Sequence, residues 1–105
     1  MYIKTSMEKA DYMSIKNVKG ENKGKIMLYT LSTCGWCKKT KKLLDEHGVE
    51  YSYIDMDLLE GKEKDENTKK LKKWNPRCSF PTIVIDDKKC IIGYKEEEIK
   101  EVLGL

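Results

Sequence analysis

A single α/β domain, with a mixed sheet of four strands and helices packed on it, is the fold class this sequence predicts, and three observations predict it. Four runs rich in β-branched, aromatic and aliphatic residues, "KIMLYT", "VEYSYIDMD", "PTIVID" and "KCIIGY", have strand length. Three segments between and after them place their apolar residues at helical spacing. The last two runs are joined through "DDK", a hairpin-sized connection. A chain of 105 residues suffices for one such core and not for two.

The elements follow in order. Residues 1–24 read as an N-terminal extension and 25–105 as the domain. The first dozen residues show no period and are expected to fray. Met13 and Ile15 alternate with polar neighbours, and the turn residues of "KGENKGK" follow, so a marginal strand turning back onto Lys25–Thr30 is expected. "KIMLYT" is bounded by Gly24 and Ser32-Thr33, as a buried strand should be. Ser32 and Thr33 are cap candidates for a helix that carries Cys37, Thr40, Leu43 and Leu44 on one face and stops at Gly48. After the strand in "VEYSYIDMD", the segment "LLEGKEKDENTKKLKKWNP" has acids early and lysines late, which suits the helix dipole. It ends at Asn75-Pro76. Only Leu58, Leu59, Leu71 and Trp74 are candidates for burial there. The hairpin comes next, and "KEEEIKEVLGL" closes the chain as a helix with Ile99, Val102 and Leu103 on one face.

Composition excludes several function classes. The chain has 21 Lys and Arg against 18 Asp and Glu, a net charge of only +3, and Arg77 is its single guanidinium. A nucleic-acid binder calls for a stronger, clustered basic bias, so no nucleic-acid partner is expected. Neither a signal peptide nor a bilayer-length apolar run is present, which points to a cytoplasmic protein with no membrane partner. Four cysteines in a reducing compartment do not suggest a permanent disulfide framework. They suggest redox or metal chemistry.

The chemistry centres on "LSTCGWCKK". Cysteines spaced i and i+3 at the start of a helix face the same side, so their sulfurs can close a disulfide with little backbone movement. Cys34 sits at or beside the cap, where free N–H groups and the positive end of the dipole favour a thiolate. Lys38, and Lys41 beyond it, can add positive potential. Cys37 lies one turn inward and is expected to be less exposed and closer to an ordinary thiol. That asymmetry makes Cys34 the nucleophile and Cys37 the resolving thiol. Trp36 offers an indole surface beside the nucleophile. A structural zinc site would need a second knuckle, and Cys78 and Cys90 are too widely spaced to supply one, so no metal is expected. Cys90, in "CIIG", is expected to be a small buried hydrophobe. Cys78 reads as a solvated loop thiol, with a regulatory role near the active pair left open. His47 reads as a cation at a helix C-terminus, Trp74 as a packing anchor, and Lys69–Lys73 as a solvated face.

Three motifs in order, "TLSTCGWCKKTKKLLDEHGVEYSYIDMD", "SFPTIVID" and "IIGYKEEEIKEVLG", resemble the glutaredoxin family of the thioredoxin superfamily. The likeness extends over roughly residues 25–105, and three ordered motifs are far more specific than one C-x-x-C. It implies a thioredoxin-like fold, with a four-stranded mixed sheet flanked by three helices. Pro81 is then the family's cis-proline, and it would turn the Phe80 backbone toward the active sulfurs. Phe80, Pro81, Gly93 and Tyr94, with Trp36, would shape the substrate groove.

The departures from the family pattern narrow this. Glutathione-using members carry a cation three residues before the first cysteine, where this chain has Leu31. In place of the family's Gly-Gly and acidic pair it has Ile92-Gly93-Tyr94-Lys95-Glu96. Losing an ionic clamp weakens glutathione recognition. With "GYKEEEIKEVLG" the chain resembles more closely the thioredoxin-like glutaredoxins, which include donors to ribonucleotide reductase, than the strictly glutathione-dependent ones. The resemblance implies a monomeric dithiol oxidoreductase with no required cofactor. It would act on protein disulfides and be recharged by a thioredoxin reductase-type partner, with glutathione as the alternative reductant. A different class also fits Gly35: a [2Fe–2S] carrier holding its cluster between two subunits through Cys34 and glutathione.

Overall fold

The computed structural model of the protein describes residues 14–105. Its elements are β1 (Ile15–Val18), β2 (Ile26–Thr30), α1 (Gly35–Glu46), β3 (Tyr51–Asp55), a 3-10 turn (Met56–Leu58), α2 (Gly61–Trp74), β4 (Thr82–Ile85), β5 (Lys89–Ile92) and α3 (Glu96–Leu103). One five-stranded sheet takes the order β1-β3-β2-β4-β5. β2 and β3 run parallel, because α1 carries the chain back between them, and every other pair is antiparallel. The four inner-chain strands and three helices are the architecture the resemblance implied.

Alternation along the strands divides the core. Ile26 and Leu28 of β2, with Ile83 and Ile85 of β4, pack against Leu43 and Leu44 of α1 and Ile99 and Leu103 of α3. Tyr29, Ile54 and Val84 point to the other face, where Leu71 of α2 covers them. Helices on both faces explain why β4 is buried at every position and reads as a continuous apolar run. Each fully buried Leu or Ile stabilises the fold by about 1.5–3 kcal/mol relative to exposure.

Tight turns close the connections. Asp86 and Asp87 both adopt positive φ, 54° and 53°, and the Lys88 N–H bonds the Ile85 carbonyl at 3.0 Å. This is the two-residue turn whose twist matches a hairpin. Gly48, at φ 64°, lets the Val49 N–H reach back to the Leu44 carbonyl at 3.0 Å and stops α1.

Four expectations are corrected. β1 pairs with β3, not with residues 25–30, because β2 already has β3 and β4 on its two sides. Leu58 is 66% exposed, since the 3-10 turn faces it outward while Leu59 takes the buried place. Cys90 is half-buried on the outer strand β5, its thiol 3.6 Å from the Trp74 carbonyl oxygen. Cys78 is half-buried against the α2-side cluster rather than solvated. The expected fraying of the first dozen residues lies outside the described residues.

Candidate active site

The cap of α1 is the cysteine itself. Cys34 has extended backbone angles, φ −84° and ψ 118°, and its sulfur accepts the Cys37 N–H at 3.2 Å. Ser32 does not cap the helix as expected. Its N–H donates to Asp57 Oδ1 at 2.8 Å and its hydroxyl to the second oxygen of the same carboxylate. This two-pronged contact ties the loop before Cys34 to the 3-10 turn. It also holds the Asp57 carboxyl below the usual carboxylate range, with the Ser32 hydroxyl the largest cause.

The two sulfurs sit in different surroundings. Cys34 is partly exposed and Cys37 is fully buried, and neither is in a disulfide. Burial first, and the hydrogen bond with the Cys34 sulfur second, push the Cys37 thiol up to about 12. The Leu31 backbone, and after it Lys41, act against that rise. Cys37 therefore stays protonated and can donate to Cys34, whose sulfur also accepts the Cys37 backbone N–H of the first turn.

Beside the pair lies an aromatic cleft of about 250 Å³ lined by Trp36, Phe80, Gly93 and Tyr94. Trp36 is 56% exposed and stacks on Tyr94, with ring centroids 5.8 Å apart and planes inclined by 27°. The Lys39 ammonium lies 4.7 Å from the centre of the Trp36 ring. The Phe80–Pro81 peptide is cis, and the Gly93 N–H bonds the Pro81 carbonyl at 2.8 Å, which joins the end of β5 to this loop. Lys38 is exposed and forms no ion pair among the described residues.

Two groups of residues near the site carry no signal in the sequence, apart from Lys41, which reads there only as a source of positive potential. The buried Asn75 amide donates to the Ser79 and Thr82 hydroxyls at 2.9 and 3.0 Å, and its oxygen accepts the Arg77 N–H at 3.2 Å. This network shapes the loop that presents Phe80. The second group is Lys41, Asp55 and Thr30, behind Cys37. A partly buried lysine among exposed ones has no mark in the sequence. No group of three or more His, Cys, Asp or Glu side chains placed to hold a metal ion occurs among the described residues. No described helix is long and apolar enough to cross a membrane.

Comparison with known proteins decides the family. The family model described as Glutaredoxin matches residues 26–91, from the first residue of β2 into β5.

The chain belongs to the glutaredoxin family.

Among solved structures, the glutaredoxin from Methanosarcina mazei Go1 is 50% identical with a TM-score of 0.81, covering 88% of this chain and 89% of its own. Methanoredoxin from Methanosarcina acetivorans is 51% identical with a TM-score of 0.78, covering 82% of this chain and 90% of its own. Glutaredoxin 1 of Rickettsia prowazekii is 39% identical over 62 residues, 59% of this chain. That match spans 62% of the Rickettsia protein's length. These glutaredoxin neighbours share the thioredoxin-like arrangement described above.

Proposed function

We propose that this glutaredoxin is a dithiol thiol–disulfide oxidoreductase that reduces protein disulfides. One observation carries the proposal: an accessible sulfur caps α1, while a buried, protonated sulfur lies within its hydrogen-bonding reach. The Cys34 thiolate attacks a substrate disulfide. A bond forms between Cys34 and one substrate sulfur, and the other substrate sulfur leaves with the electron pair and takes a proton. Cys37 then attacks the Cys34 sulfur and expels the second substrate thiol. The dithiol has lost two electrons, the substrate has gained them, and no organic cofactor is needed.

Substrate and reductant follow from the surroundings. The cleft of Trp36, Phe80, Gly93 and Tyr94 suits an extended segment with an apolar residue near its disulfide. Leu31 packs partly buried against the α2-side cluster and can offer no charge to a glutathione carboxylate. This favours a thioredoxin reductase-type electron donor, as in the thioredoxin-like members of the family.

Insulin reduction tests the core of the proposal. Wild type is expected to precipitate the insulin B chain, and Cys34→Ser to be inactive. A Cys34→Ser variant as fast as wild type refutes it. Side-by-side reduction of the oxidised protein by glutathione and by a thioredoxin reductase system is expected to favour the second.

A further inference from the structure

The ion pair behind Cys37 differs from the others. Lys41 Nζ lies 3.7 Å from Asp55 Oδ1, with the two side chains only 21% and 18% exposed. Each of the other three ion pairs among the described residues has at least one member 44% exposed or more. The same ammonium lies 3.7 Å from the centre of the Tyr53 ring. The buried Thr30 hydroxyl, at the end of β2, donates to the same Asp55 Oδ1 at 2.6 Å and helps to fix the carboxylate. Lys38, Lys39 and Lys42, on the same helix, are all exposed.

A loose, half-covered pair of this kind adds about 0–1 kcal/mol to stability and costs a long side chain its freedom. Its placement has a chemical use. Lys41 is one helical turn after Cys37, and residues so spaced lie on one face with Cβ atoms about 5–6 Å apart.

We propose that Lys41, clamped by Asp55 and Tyr53, is a positioning residue for the resolving step, holding its ammonium where negative charge develops on the Cys37 sulfur. This rests on the dithiol mechanism above. In the reduced protein the Cys34 sulfur helps keep the Cys37 proton in place. Once Cys34 is bonded to substrate, that sulfur carries no charge, and burial alone opposes ionisation while the Leu31 backbone and Lys41 promote it. Cys37 then attacks Cys34, and the bond between Cys34 and the substrate sulfur breaks. The electron pair leaves on the substrate sulfur, which takes up the proton that Cys37 gave. The products are the Cys34–Cys37 disulfide and a substrate thiol, with no further reactant.

Acid-quenched rapid mixing of the reduced protein with a dye-labelled peptide disulfide, read by mass spectrometry, separates formation of the mixed disulfide from its decay. Lys41→Met is expected to form it within about twofold of the wild-type rate and to release it roughly tenfold more slowly, the equivalent of one pKa unit. Lys41→Arg, which keeps the charge, is expected to recover most of the release rate. Asp55→Asn, which removes the clamp, is expected to slow release in the same direction. Release at the wild-type rate in Lys41→Met overturns the proposal. If that variant does not fold, release at the wild-type rate in Asp55→Asn overturns it instead. Equal slowing in Lys41→Met and Lys41→Arg also overturns it, because packing rather than charge would then be at work. Cys37→Ser is the control for the underlying mechanism: turnover equal to wild type there would sink the dithiol reading itself, whatever Lys41 does.

Discussion

Alkylation of the reduced protein reads the two active sulfurs separately. Cys37 is held at about 12 against 9.0 for an ordinary thiol, by burial first and by the Cys34 sulfur second. Three units correspond to about a thousandfold less thiolate at neutral pH than in the unfolded chain. Complete burial of the sulfur adds a barrier to the reagent. With iodoacetamide at pH 7 and fragment mass spectrometry, Cys34 is expected to take the label. Cys37 is expected to react at least about a thousandfold more slowly in the folded protein than in denaturant. A Cys34→Ala variant removes the smaller cause and leaves burial. The Cys37 profile should then shift to lower pH but remain above that of a free thiol. The stability consequence has a definite sign. A group whose folded value is raised contributes stability that is complete below the unfolded value, here 9.0, and lost as pH rises toward about 12. Tyr51 adds to the alkaline loss, its hydroxyl raised by burial and by its bond to Asp45. Labelling of Cys37 at pH 7 within tenfold of the denatured rate would refute the assignment of Cys37 as the protonated, waiting thiol.

Two further outcomes concern the scaffold. A Cβ on Gly20 would stand 2.5 Å from the Gly48 carbonyl oxygen and 2.8 Å from the Val49 carbonyl carbon, both backbone atoms. Gly20→Ala is therefore expected to destabilise by about 1–3 kcal/mol in urea unfolding, and a change within 0.3 kcal/mol would contradict the close approach. Ser32→Ala removes the hydroxyl that most lowers the Asp57 carboxyl. A lowered folded value gives stability present above the unfolded carboxylate range and lost as pH falls through the folded one. The Tm gap between wild type and Ser32→Ala should accordingly be open at pH 7 and narrow as pH falls below the ordinary carboxylate range. A gap that persists unchanged in acid would contradict it.

Some of this protein is legible in its amino acids alone, because the physics involved is local. The strand runs, the Gly48 stop, the Asp86-Asp87 turn and the i, i+3 cysteines at a helix start depend on neighbours within a few residues. They identify the sheet, the helices and the family. The place of β1 was not legible, since a short strand can pair with any open edge and only the assembled sheet shows that β3 offers one. Leu58 and Leu59 are chemically alike, and the 3-10 turn alone decides which is buried. The cap went to Cys34 because Ser32 was drawn to Asp57, 25 residues away. Sequence determines that a thiol pair opens a helix. Only the tertiary structure decides which lysine serves it: four line that helix, and Asp55, Tyr53 and Thr30 select Lys41 through contacts that no spacing along the chain encodes.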